Sequence, residues 1–253
     1  MTTMATSGSP RTPPPVSPRA PALRGPVMMN QDWRDLTFIH WAVEPRRLQR
    51  FMPPGVRPDT FEGRSHVGLI PFRMVDAGFQ RGPGVPWAGT FLETNVRLYS
   101  VDETGRRGIV FLSLDTDRSL VVAGARLAFG LPYRWARMRH HATSDGVHRY
   151  ESRLRGPGRP AATRITVGVG RAREATGLDE FLTARWGLHV RHLGRTLYVP
   201  NAHPAWPLRD AELLDLDDGL VRSVGLGDLA TRAPDHVAFS AGVHTEFGLP
   251  RTS

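Results

Sequence analysis

The chain has 253 residues, a formal charge of +9 and no cysteine, and all 33 of its Lys+Arg residues are arginine. The missing lysine excludes a catalytic Schiff-base lysine, and an arginine stays protonated and cannot act as the amine nucleophile in its place. The missing cysteine excludes disulfides, thiol nucleophiles and cysteine metal sites. The positive charge would favour anionic partners. The arginines are scattered, however, with no run of five, so no nucleic-acid partner is expected. No apolar run approaches the roughly 20 residues that span a bilayer, and no secretory h-region opens the chain. The expectation is a cytoplasmic protein with no membrane partner, in a length that suits one large domain or two small ones.

Residues 1–27 are rich in Pro, Ser, Thr and Ala and predict a disordered tail, followed by a single domain over 28–249. Residues 36–43 read as a strand with Phe38 and His40 on one face and Ile39 and Trp41 on the other. A short helix follows at 44–51, with Pro45 at its first position and Pro53-Pro54-Gly55 stopping it. Residues 66–72 predict a strand whose Pro71 suggests an edge or a bulge. The Gly/Pro-rich stretch 76–90 reads as a loop of the kind that lines a pocket mouth.

Residues 89–119 form the most informative segment. Two strands, 91–99 and 109–114, flank an acidic, glycine-containing turn. Period-two alternation puts Glu93, Asn95 and Arg97 on one face and Thr94, Val96 and Leu98 on the other. The second strand is apolar on both faces, which suits a central strand. Further on, 119–129 predicts a helix containing Arg126, and 147–154 and 163–169 predict strands. Residues 178–186 are the strongest helix, with Thr176 or Asp179 near its start and Gly187 at its end. Residues 188–193 and 195–200 read as strand, turn and strand, and 213–216 and 220–224 as strand edges. A last strand lies within 235–248.

No dinucleotide fingerprint, phosphate loop, nucleophile elbow or HExxH is present. His140 and His141 are adjacent and cannot share one site from a regular strand. No metal or cofactor is therefore expected. Exposed, Glu93 and Arg97 would be a solvated pair of little worth. Buried in a groove, they need each other or a ligand, and the Arg97 fork would suit a carboxylate or carbonyl group. Glu93 and His40 are the candidate acid/base groups. Asn95, Arg97 and Arg126 are the candidate ligand contacts. Ser113, which otherwise reads as a plain strand hydroxyl, and Asp115, at the strand end, complete the candidates.

Several pieces occur in order: His40-Trp41, PPG, the run ending VGLIPF, ETNVRLY, SLDTDRS, Ala125-Arg126, LPY, LDEFL and HPAWPL. Together they resemble the YqjF-like family of uncharacterised bacterial proteins, over about residues 30–248. The resemblance implies an α+β, strand-rich fold like that of acetoacetate decarboxylase, a closed β-barrel with flanking helices and an internal cavity. It also implies that Glu93, Asn95, Arg97 and Arg126 line that cavity. The decarboxylases act through a lysine that this chain lacks, and His66 stands where the family usually carries tryptophan. Three readings follow. One is an enzyme of lyase, hydratase or isomerase type acting on a small anionic or carbonyl-bearing molecule. The second is a non-catalytic binding protein, and the third a structural or interaction protein. Assembly into a homo-oligomer is compatible with each.

Overall fold

A computed structural model describes residues 13–119, 122, 130–157 and 160–252. The first strand, β1 (Val27–Val43), is longer than the sequence pattern suggests, because its polar first half is also paired on both sides. A short helix, α1 (Pro45–Leu48), runs into a 3-10 turn at Gln49–Phe51, as the Pro45 signal anticipates. Then come β2 (Val56–Pro58) and β3 (Ser65–Phe79). β3 is interior, between β1 and β4 (Phe91–Asp102), so Pro71 does not mark an edge. It is tolerated because the ladder to β1 is interrupted between the Arg34 and Ile39 pairs, where Asp35 takes φ 53°. The missing N–H of Pro71 falls in that gap.

The hairpin partner of β4 is β5 (Arg107–Thr116). The helix expected at 119–129, with Arg126, falls almost wholly outside the described residues. Next come β6 (Tyr133–Ala142), β7 (Val147–Leu154) and β8 (Ala162–Ala172), paired antiparallel in sequence. Helix α2 (Gly177–Thr183) starts with a full capping box between Thr176 and Asp179. β9 (Gly187–His192) and β10 (Arg195–Ala202) form a hairpin whose turn residues Leu193 and Gly194 have φ 47° and 77°. Two positive-φ residues are what a two-residue hairpin turn requires. β11 (Leu208–Asp218) leads into α3 (Leu220–Ser223), where the sequence suggested a strand. The Asp218 carboxylate accepts from the backbone N–H groups of Leu220 and Val221, at 3.0 and 3.1 Å, and so starts a helical turn. β12 (His236–Gly248) and β13 (Arg251–Thr252) end the chain.

Among the described residues all 13 strands join one sheet, with extra pairings of β10 with β12 and of β4 with β5. Four of these strands are forked: β4 takes β3 and then β2 along one edge, β10 takes β13 and then β12, and β5 and β12 also fork. β5 pairs in parallel with β9 at Ile109 and with β6 from Leu114 to Thr116. β12 pairs with β11 through its first half and with β10 near its end. The branch β6–β7–β8–β11 covers a filled core in which Val96 and Leu98 pack with Ile39, Trp41, Leu69, Ile165 and Val167. The branch β9–β10 lies on the opposite face of β4.

The proline-rich segment is partly bound to the fold. The carbonyls of Pro14, Ser17 and Arg24 accept from Arg107, Trp186 and Arg251. Extended proline-rich backbone leaves its carbonyls unpaired, and these donors use them. Among the described residues no helix is long and apolar enough to cross a membrane.

Candidate functional site

The period-two face that the sequence singles out opens onto a cavity of about 340 Å³, lined by Glu93, Asn95 and Arg97. The rest of the wall is mainly apolar, with Phe72, Phe91, Phe111, Trp206 and Phe247 contributing rings. Ala77, Gly78, Val85 and Ala88, from the Gly/Pro-rich loop and its approach, line it as well. That loop is fixed by backbone bonds: Ala77 N–H to the Gly89 carbonyl, Val85 N–H to that of Ala77 and Gly89 N–H to that of Val85.

Glu93 is 3% exposed. Its carboxylate accepts from the Tyr133 hydroxyl at 2.8 Å and, at 3.4 Å, from the Asn95 amide. Burial pushes this carboxyl up to about 7, against those two hydrogen bonds, with Asp115 adding a smaller upward push. Tyr133 was legible only as part of a bend. It reaches Glu93 because β6 joins β5 in parallel and sets Tyr133 beside Leu114.

Arg97 donates through Nε to the Tyr99 hydroxyl (3.1 Å) and through Nη2 to the Leu182 carbonyl (3.1 Å). Behind it runs a chain of contacts that sequence reasoning did not see. Tyr99 Oη lies 2.6 Å from His40 Nε2, His40 Nδ1 lies 3.0 Å from His236 Nδ1, and His236 Nε2 lies 2.8 Å from Asp179 Oδ1. Arginine only donates, so the Tyr99 oxygen accepts from Arg97. Burial, then the neighbouring His236 and Arg97, hold His40 well below its usual range, so it is neutral. The Asp179 carboxylate accepts from His236 Nε2. Burial alone would raise Asp179, but hydrogen bonds from Arg173, His236 and Thr176 hold it well below the usual carboxylate range. Gly68 pairs with both His40 and Arg97 across the strands, and a methyl there would lie 3.1 Å from the His40 ring. A glycine is what lets the two side chains meet.

The remaining candidates fall elsewhere. His40 is fully buried behind Arg97 and does not line the cavity. Ser113 and Asp115 are also buried but face the other side of β5. The cause is a bulge: Val96 pairs with Ser113 and Arg97 with Phe111, leaving Leu112 extra. Ile109 and Phe111 therefore point into the cavity, and beyond the bulge Leu114 does so in place of Ser113 and Asp115. Asp115 instead accepts from Arg134 Nε at 2.6 Å. Burial pushes its carboxyl up to about 6, against that hydrogen bond and the Arg134 charge. Arg126 lies outside the described residues. His66 does not line the cavity; it sits against Tyr99 and Phe181. Among the described residues no three His, Asp or Glu side chains are grouped to hold a metal ion.

The strand arrangement belongs to a known class. An acetoacetate decarboxylase-like enzyme from Sphingomonas wittichii RW1 superposes with a TM-score of 0.64 at 14% identity, covering 89% of this chain and 92% of that one. The acetoacetate decarboxylase of Legionella pneumophila gives 0.62 at 15% identity, with 92% and 91% covered. The enduracididine biosynthesis enzyme MppR, complexed with pyruvate, gives 0.60 at 16% identity, with 91% and 92% covered. At these identities the likeness establishes the fold. Sequence gives the family: residues 30–244 match DUF2071, described as an uncharacterized conserved protein. The uncharacterized protein YqjF of Bacillus subtilis (strain 168) is 33% identical over 187 residues, 73% of this chain and 76% of YqjF. The chain belongs to the DUF2071 family.

Proposed function

We propose that the cavity binds a small carboxylate or carbonyl compound and that Glu93 moves a proton on it, in a lyase, hydratase or isomerase step without a Schiff base. The observation that carries this reading is the Glu93 carboxyl, placed on the wall of an apolar cavity and shifted to about 7. Such a group is part ionised at neutral pH and can both take and return a proton. In the simplest step its carboxylate accepts the proton from the carbon next to the substrate carbonyl. The C–H electron pair becomes an enolate, whose oxygen charge Arg97 offsets, and the proton then returns from Glu93. The fold's neighbours support this substrate class: one is an acetoacetate decarboxylase and another binds pyruvate, which carries both a carbonyl and a carboxylate. With no lysine in the chain, an imine route through a lysine is closed. In this reading the β4–β5 and β10–β12 pairings close the sheet into a barrel around the cavity.

The test is hydrogen–deuterium exchange at the carbon beside the carbonyl, followed by NMR for a panel of 2- and 3-oxo acids. Exchange by the native chain that stops in Glu93→Gln supports the proposal, and undiminished exchange in the variant refutes it. A second reading, binding without turnover, draws on the engagement of two Arg97 nitrogens by Tyr99 and Leu182. It predicts saturable binding with no exchange.

A further inference from the structure

We infer that the wall opposite Glu93, built from β1, β12 and β10, is a second polar subsite that takes an uncharged hydrogen-bonding group such as a carboxamide or hydroxyl. Two amides, Gln31 and Asn201, line the cavity there. Asn95 on β4 and Asn201 on β10 are separated by β5 and β9 in one direction and by β3, β1 and β12 in the other. They therefore occupy different walls. Gln31 pairs across the strands with Thr245, and Asn201 pairs with Phe247, two positions along the same strand. Thr245 thus shares one side of β12 with Phe247, though Phe247 and not Thr245 lines the cavity.

These groups are buried, Gln31 at 6%, Asn201 at 4% and Thr245 at 0% exposure. Among the described residues Asn201 Oδ1, Thr245 Oγ1 and the indole Nε1 of Trp33, another wall residue, have no hydrogen-bond partner. A buried polar atom left unpaired carries the full cost of its lost hydration. Two of them, Asn201 Oδ1 and the Trp33 indole, belong to residues that line one apolar cavity, and they make sense together if a ligand pairs with them. Asn201 Oδ1 accepts and the indole N–H donates, so the ligand group must both donate and accept. None of the four side chains is charged, which disfavours an ion at this wall. The cavity is also lined by rings, including Trp33 stacked on Trp206 at 5.8 Å and 8°. The ligand class is then a molecule with an apolar, preferably aromatic, body and a neutral polar end directed at Asn201.

The inference rests on the cavity being a ligand site, but not on Glu93 moving a proton or on Arg97 holding an anion. Its test uses uncharged molecules. The full chain is titrated with propylbenzene and with 4-propylbenzamide by ligand-observed NMR. The expected result is at least about tenfold tighter binding of the amide, the equivalent of one hydrogen bond to a buried polar group. That preference should fall to near unity in Asn201→Leu and shrink in Gln31→Leu, while propylbenzene still binds both variants. Equal affinities in the native chain, no binding of either compound, or a preference that survives in both variants would overturn it. A crystal structure of the amide complex in which ordered waters, not the amide, pair with Asn201 and Trp33 would do the same. Failure of the proton-transfer proposal shows separately, as absent exchange in oxo acids with the amide preference intact.

Discussion

The two faces of β4 have opposite fates although both are buried. Val96 and Leu98 enter a filled core with Ile39, Trp41, Val67 and Leu69. Glu93, Asn95 and Arg97, alternating with them along the same strand, face a cavity of about 340 Å³. A protein interior is normally close-packed, and unfilled volume costs stability. The contrast teaches that one face of the strand serves stability and that the other carries polar groups whose burial is a cost unless something occupies the space.

Four substitutions probe that contrast. On the filled face, Leu98→Ala should destabilise by about 2–5 kcal/mol in urea denaturation, because neighbours in a full core relax only partly. A loss below about 1 kcal/mol would show that this core is as loosely filled as the other side. On the cavity face, Glu93→Gln should alter the pH dependence of stability. The folded carboxyl titrates at about 7 rather than at 4.5, so across that interval the folded protein holds more protons than the unfolded one. Stability therefore falls as pH rises through the interval, and the penalty is absent below it. The glutamine variant should gain on the native chain with rising pH, to a difference on the order of 3 kcal/mol. Parallel curves would place the carboxyl near its ordinary value; the upward shift of Asp115 is present in both proteins and cancels. Arg97→Leu should weaken binding of small carboxylates by about tenfold, or roughly 1.4 kcal/mol, with little loss of fold. Unchanged calorimetric affinity would remove the clamp. Smallest of all, Arg47→Ala breaks a surface pair with Asp228 and should change stability by about 0–1 kcal/mol.

Alternation along β4 was legible because side-chain period two does not depend on what a strand pairs with. The start of the helix at Gly177–Thr183 was legible for a similar reason, since Thr176 and Asp179 form a local cap, but the helix ends at Thr183 and the expected stop, Gly187, opens β9. Features set by partners were not. The bulge at Leu112 turns Ser113 and Asp115 away from the cavity, and nothing in FLSLD announces an extra residue. Pro71 suggested an edge or a bulge, and the register shift between the Arg34 and Ile39 pairs fits the second, but which of the two holds depends on β1. Tyr133, His236 and Asp179 join Glu93 or Arg97 from elements distant in sequence, and Gln31 and Asn201 look like ordinary strand amides until the fold sets them on one cavity. A signal was present for Gly68, the residue between His40 and Arg97, but a lone strand glycine does not say what approaches it.

The chain from Arg97 through Tyr99, His40 and His236 to Asp179 has a consequence for how the cavity answers distant change. Asp179 also closes the capping box of α2 and pairs with Arg173. The Leu182 carbonyl near the other end of that helix accepts from Arg97. One short helix is thus tied to the cavity arginine at both of its ends, and loosening its cap would slacken the support behind Arg97.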